Sequence, residues 1–165
     1  MSELNISKND ISIAGEFYMA YILAKYGFKV SPTLGRTEVF DLFAQNPKGK
    51  NLTISVKTKY LSKSIEIPIN KKAETRIDES LFYAFVRLNM PDGEPEFWIV
   101  PSRIVAKATI DSDKVWMDKP KRDGSKHKEV ALRIFALGTH RLYPGDWEEQ
   151  LEHFKSNIES LKDLK

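Results

Sequence analysis

Residues 37–60 read TEVFDLFAQNPKGKNLTISVKTKY, two extended segments around a turn. Thr37 to Gln45 and Leu52 to Tyr60 are rich in β-branched and aromatic residues, and Asn46-Pro47-Lys48-Gly49-Lys50-Asn51 between them is a turn by composition. Successive side chains of a strand point to opposite faces. Val39, Asp41 and Phe43 therefore share one face of the first segment, and Phe40, Leu42 and Ala44 the other. In the second segment Ile54, Val56 and Thr58 share one face, and Ser55, Lys57 and Lys59 the opposite one. One side of the hairpin is apolar and the other polar. If the polar faces coincide, an acid, a hydroxyl and an ammonium converge at Asp41, Ser55 and Lys57. Aspartate is disfavoured in mid-strand, so its position asks for a reason. The plain alternative is a solvent-exposed Asp/Lys pair, worth less than about 1 kcal/mol.

Upstream, Asn9 to Tyr26 reads as a helix, with Ser7 or Asn9 to cap it and Gly27 where a left-handed residue ends helices. Ile13, Glu16, Ala20 and Leu23 recur at steps of three and four, so Glu16 interrupts an apolar stripe. A carboxylate there must be paired, hydrated or bound to a cation, because burying it alone is costly. A glutamate at the margin of the stripe that reaches water satisfies the same pattern. Gly15 beside it lets another segment come close.

Downstream, Phe82 to Leu88 and Glu96 to Val100 read as a second hairpin, and Pro101-Ser102 opens a short helix near Arg103 to Lys107. Residues 111–128 are polar and aperiodic, which predicts a long exposed loop, followed by a strand from Val130 to Phe135. A final helix starts at Pro144-Gly145-Asp146, with Trp147, Leu151, Phe154, Ile158 and Leu161 as its apolar stripe. That stripe lies either on the protein's own sheet or on a dimer seam. The order of elements predicts an α+β or α/β chain around a central mixed sheet.

The 165 residues are 41% hydrophobic, which suits a single domain over 1–165 with a real core. With no cysteine, disulfides, thiolate zinc sites and cysteine nucleophiles are excluded. The three histidines, His127, His140 and His153, have no metal-ligand spacing. No apolar run approaches the roughly 20 residues that cross a bilayer, and MSELNISKND is too polar for a signal peptide, so no membrane partner and a cytoplasmic location are expected. Net charge is only +3, but the last twenty residues hold six acids and three bases. Residues 1–145 therefore carry 23 bases against 17 acids. The body is basic.

Glu16 on an N-terminal helix, followed by VFDLFAQNPKGKNLTISVKTKY, resembles the PD-(D/E)xK nuclease superfamily. That superfamily places an aspartate on one strand, then a turn, then a hydrophobic strand ending in E-x-K or Q-V-K-T. The likeness is best over residues 13–60, and FYAFVRL and EFWIVPSRIVA resemble the next strands and helix less specifically. It implies an α/β, restriction-endonuclease-like core, a mixed central sheet flanked by helices. It further implies Mg²⁺-dependent (or Mn²⁺-dependent) hydrolysis of DNA phosphodiesters. Carried over residue by residue, Asp41 and Glu16 would ligate the metal with the Val56 carbonyl, and Lys57 would position or activate the attacking water. Such an oxygen-only site suits magnesium or manganese. Ser55 stands where the second acid or a glutamine is expected, and Phe40 replaces the proline. A hydroxyl is a poorer magnesium ligand than a carboxylate, so either Glu16 supplies the missing charge or the fold is kept for binding nucleic acid or protein. DNA is the implied partner, and the pairing of many such nucleases to cut two strands allows a homodimer.

For DNA contact the residues offered are Arg36 before the Asp41 segment, Lys59 on the polar face, Lys71 and Lys72 in a cluster with Arg76, and Lys121 and Arg122 in the lysine-rich stretch. Runs of this kind are also found as plain solvated loops. No Gly-x-Ser-x-Gly or glycine-rich phosphate loop is present.

Overall fold

The apolar face of the first hairpin is fully buried: Leu42, Ala44, Leu52 and Ile54 have no exposed surface in the computed structural model, which describes residues 6–33, 40–61, 65–90 and 93–165. Strand β1 (Lys29–Pro32) pairs antiparallel with β2 (Leu42–Gln45), which pairs antiparallel with β3 (Asn51–Leu61), Leu42 lying opposite Ile54. The segment from Thr37 to Val39 lies outside the described residues, and Asp41 immediately precedes β2. Beyond β3 comes β5 (Leu81–Met90), parallel to it, and then β6 (Glu96–Pro101), antiparallel to β5. The result is a mixed five-stranded sheet in the order β1-β2-β3-β5-β6. A parallel neighbour requires a crossover. Here the crossover carries β4 (Glu66–Asn70) and a 3₁₀ turn (Lys71–Glu74), and β4 forms a second, two-stranded sheet with β7 (Leu132–Ala136).

Both faces of the large sheet are covered, so this is an α/β chain with a mixed sheet flanked by helices. Helix α1 (Lys8–Lys25) lies on one face, where Met19 and Leu23 meet Leu42, Ile54, Val56 and Val86. Helix α2 (Ser102–Asp118) and the small sheet lie on the other, where Tyr83, Phe85 and Trp98 meet Val105, Ala108 and Phe135. Phe85 stacks flat on Phe135 with ring centroids 3.9 Å apart.

Helix α1 begins where the capping pattern places it, with the Ser7 hydroxyl accepting from the Asp10 N–H, and ends before Gly27 at φ +87°. Its buried side differs from the expected stripe. Gly15, Met19, Ile22 and Leu23 face the sheet, and Ile13 is 41% exposed. The reason is a close approach to β3: a Cβ at position 15 would lie 1.9 Å from Thr58 Oγ1. Only glycine fits there, and the helix is rotated to use it. The contact leaves Thr58 Oγ1 buried with no hydrogen-bond partner among the described residues.

Two further expectations are corrected. The helix predicted near Arg103 to Lys107 runs on to Asp118, so residues 111–118 are helical and the exposed loop starts after them. Apart from Val105, its buried side consists of small and hydroxyl residues, Ser102, Ala106, Ala108, Thr109 and Ser112, which carry little apolar signal. The hydroxyls of Thr109 and Ser112 donate to carbonyls one turn back, so they can be buried at little cost. The final helix is two, α3 (Trp147–Glu152) and α4 (Glu159–Lys162), with Ser156 at φ +54° between them. Residues 154–156 pair with the edge of β6 instead: the Ile99 N–H donates to the Phe154 carbonyl and the Ser156 N–H to the Phe97 carbonyl, both at 3.0 Å. Covering that edge satisfies backbone groups that would otherwise stand open. The stripe is thus spent internally, Trp147 and Leu151 on one face of the sheet and Ile158 and Leu161 on the other, which removes the dimer-seam alternative.

The Gly15–Thr58 approach predicts that Gly15→Ala destabilises the fold by about 1–3 kcal/mol through overpacking. Thr58→Ala in the same chain should recover part of the loss, a coupling that a double-mutant cycle of denaturant unfolding measures.

Candidate active site

The hairpin register brings three residues of the polar face together. The Asp41 N–H donates to the Ile54 carbonyl at 2.9 Å, which fixes the backbone, and Asp41 Oδ2 accepts from the Val56 N–H at 2.6 Å. The aspartate side chain thus takes over an amide just where pairing with β2 ends. Ser55 Oγ donates to the same oxygen at 3.4 Å, and Lys57 Nζ donates to Ser55 Oγ at 2.9 Å and to the Val56 carbonyl at 3.0 Å. Lys57 Nζ is also 3.7 Å from Asp41 Oδ2. A buried hydroxyl therefore bridges an ammonium and a carboxylate. Every hydrogen bond and ion pair of the Asp41 carboxylate with described residues uses Oδ2, which leaves Oδ1 for a further ligand.

Glu16 comes from the other side. The rotation of α1 that seats Gly15 on Thr58 leaves Glu16 at the flank of the helix, half-buried, where Ser12 Oγ one turn earlier donates to its Oε1 at 3.2 Å. Burial pushes the Glu16 carboxyl above the ordinary carboxylate range, and the Asp41 charge pushes it further; the Ser12 hydrogen bond and the Lys57 ammonium pull it back only in part. Glu16, Asp41 and Lys57 therefore share one electrostatic environment, although Glu16 touches neither of the others.

Asp41, Ser55 and Lys57 line one wall of a cleft of about 130 Å³, and Lys72, Arg76 and Tyr83 line another. Tyr83 stands opposite Ser55 in the parallel β3–β5 register. Lys72 reaches the cleft because the 3₁₀ turn is anchored at both ends. The Asn70 side chain caps it by accepting from the Lys72 N–H at 2.9 Å, and Glu74 pairs with Arg133, itself only 3% exposed and also paired with Asp113 at 3.1 Å. A larger cavity of about 340 Å³ lies between α2 and α3, but Lys107 and Asp111 at its rim pair with each other, and it holds none of the residues above.

The remaining basic positions are spread over the surface. Lys59 is half-buried on β3 beside Arg87 and does not line the cleft. Lys71 pairs with Glu129, and Lys121 and Arg122 lie exposed in the loop after α2, away from the cleft lining. Arg36 lies outside the described residues. Tyr83 and Ser12 are the cleft and support residues that the sequence reading missed. Ser12 was findable as the i−4 neighbour of Glu16, whereas Tyr83 depends on a parallel pairing that no local pattern encodes.

Among the described residues no cluster of three or more Asp, Glu, His or Cys side chains forms a metal site. The oxygens present are two carboxylates, Asp41 and Glu16, and the Val56 carbonyl. Magnesium is commonly held by only one or two carboxylates, the rest of its shell being water and substrate phosphate, so this donor set fits that ion.

No protein-family model and no curated protein matches the chain. Among solved structures it is similar to a bacterial homing endonuclease, I-Ssp6803I, with a TM-score of 0.47 and 13% sequence identity over 90% of this chain and 94% of that one. No helix among the described residues is long and apolar enough to cross a membrane.

Because the Glu16 carboxyl is raised, its ionised form costs stability once the pH passes the ordinary carboxylate value of 4.5. Glu16→Gln should therefore leave stability little changed in acid and raise it at neutral pH by less than about 1 kcal/mol, the gap opening as the pH rises. Thermal melts of metal-free protein across a pH series check the sign.

Proposed function

We propose that this chain is a divalent-cation-dependent nuclease of the PD-(D/E)xK type that hydrolyses DNA phosphodiesters at the cleft beside Asp41. The observation that carries the proposal is the convergence of Asp41, Ser55 and Lys57 on one small cleft with a second carboxylate, Glu16, in electrostatic reach. An aspartate immediately before β2 bound by the Val56 amide of the neighbouring strand, with Lys57 two residues beyond Ser55 on the same face of β3, is the arrangement that the motif resemblance implies.

In this reading Asp41 Oδ1, Glu16 and the Val56 carbonyl hold Mg²⁺ or Mn²⁺. When bound, the ion supplies charge stabilisation to the phosphate and acidifies water. The Asp41 charge raises the cost of ionising Glu16, and a cation between the two would replace that repulsion by attraction. Lys57 directs a proton donor into the cleft, where it orients the attacking water and neutralises charge that grows on the phosphate. Ser55 is a positioning residue here: it accepts from Lys57 and donates to Asp41, so it sets the lysine's direction in place of a second acid. Lys72 and Arg76, on the opposite wall, are the natural contacts for the phosphate flanking the scissile bond. Lys59, Lys71, Lys121, Arg122 and Arg36 would add sequence-independent attraction to the backbone, sensitive to salt.

The test is cleavage of single-stranded, duplex and branched DNA with Mg²⁺ or Mn²⁺. Lys57→Ala and Asp41→Asn should each lower the rate by at least about 100-fold, the scale of lost acid–base and electrostatic contributions. Ser55→Ala should lower it less, since it removes a positioning contact and no charge. No cleavage of any DNA form by the unaltered protein would overturn the nuclease reading. Salt-sensitive DNA binding that survives Asp41→Asn without any cleavage would instead support a binding module on the same fold.

A further inference from the structure

We propose that the outward side of α1 is a self-pairing surface, on which the α1 of a second copy of this chain packs antiparallel about a two-fold axis at Phe17. Phe17 is 65% exposed, Tyr21 60% and Ile13 41%, and these are large apolar side chains on a regular helix. At 3.6 residues per turn Asp10, Ile13, Ala14, Phe17, Tyr21 and Ala24 fall within about 100° of arc. All six are exposed, and the arc lies opposite the Gly15, Met19 and Ile22 side that meets the sheet. The helix is therefore apolar on both sides, and among the described residues only one of them is buried within the chain. A helix of that kind normally has both sides covered.

The charges say what covers the second. Asp10 sits in the first turn and Lys25 in the last, with no charged residue on the stripe between them. In an antiparallel pair centred on Phe17, residues equally far on either side of it meet. Phe17 then packs on its own copy, Ile13 and Ala14 receive the second copy's Tyr21, and Asp10 reaches the second copy's Lys25. A parallel pair would set Asp10 against Asp10 and Lys25 against Lys25, which repel. The large and small residues also alternate in the required sense, since Ala14 leaves room beside Ile13 for the ring of the second copy's Tyr21 and Ala24 leaves room opposite Asp10. Nucleic acid is a poor occupant, because the stripe offers an acid and aromatic rings with a cation only at its end. A single helix pair buries less area than a standard interface, so the association should be weak, reversible and concentration-dependent.

Sedimentation velocity of the full chain over a concentration series tests this. The unaltered protein should pass from monomer to dimer as concentration rises, and Phe17→Glu should weaken the dimer at least tenfold with an unchanged melting temperature, because Phe17 contributes little to the monomer's core. Asp10→Lys and Lys25→Asp should each weaken it, and the two together should restore it. Since the chain has no cysteine, Phe17→Cys should also give a disulfide-linked dimer on mild oxidation, whereas Lys107→Cys on α2 should not. A monomer at every concentration, a dimer indifferent to Phe17→Glu, or a charge-swapped double variant no tighter than the single ones would overturn the proposal.

Discussion

Burial of Leu42 and Ala44 against Leu52 and Ile54 beneath α1 is the constraint on which the candidate chemistry rests. Side chains alternate along a strand, so a slip of one residue between β2 and β3 would turn Leu42 and Ala44 to water and drive Asp41 toward the core. Each such apolar side chain is worth about 1.5–3 kcal/mol when fully buried, so the slipped register is far less stable. The convergence of Asp41, Ser55 and Lys57 is therefore enforced by the other face of the same hairpin. The turn adds to this control. Asn46, 3% exposed, accepts from the Lys48 and Lys50 N–H groups and donates to the Leu161 and Leu164 carbonyls, so it locks the hairpin and the chain's last helix together.

The opposite wall of the cleft is held by charge. Arg133 is almost wholly buried and lies between Glu74, on the 3₁₀ turn, and Asp113, on α2. A buried guanidinium is tolerated only with partners in good geometry, and breaking such a set is costly because a charge is then left unpaired. The turn that carries Lys72 is consequently tied to α2 and β7 at the same point. A similar set at the far edge, with Glu96 between Arg87 and Lys155, pins the segment after α3 onto β6. Burial alone would raise the Glu96 carboxyl, but hydrogen bonds from Lys155, Asn89 and Arg87 outweigh it and hold the group at about 2.

What could be read from the sequence follows a physical division. Alternation within one hairpin is local, so the polar face of Asp41, Ser55 and Lys57 was legible, as were the Ser7 cap, Gly27 and the pairing of β5 with β6. The length of α2 was hidden because its buried side beyond Val105 is alanine, threonine and serine. The break at Ser156 was hidden for another reason. Trp147, Leu151, Ile158 and Leu161 keep helical spacing, yet they serve two different cores, and the demand of the β6 edge for partners outweighs local periodicity. The position of Tyr83 in the cleft and the pairing of Arg133 with Glu74 and Asp113 depend on a parallel crossover and on long-range contacts, and neither leaves a local trace.

Glu16 shows how one glycine links these levels. An apolar stripe through Ile13, Glu16, Ala20 and Leu23 would have put the carboxylate under the helix among Leu42, Ile54 and Val56, where burial of a charge is costly. Gly15 removes that cost, since the absence of a side chain lets α1 settle onto Thr58 and rotates Glu16 to the flank nearest Asp41. The same rotation carries Ile13, Phe17 and Tyr21 outward. The placement of the second carboxylate and the exposure of an aromatic stripe are thus two consequences of a single steric fact. Any substitution that lifts α1 from β3 must disturb both at once, moving Glu16 out of Asp41's field and tilting the exposed face. That is why the helix carries its only fully buried glycine next to its only half-buried acid.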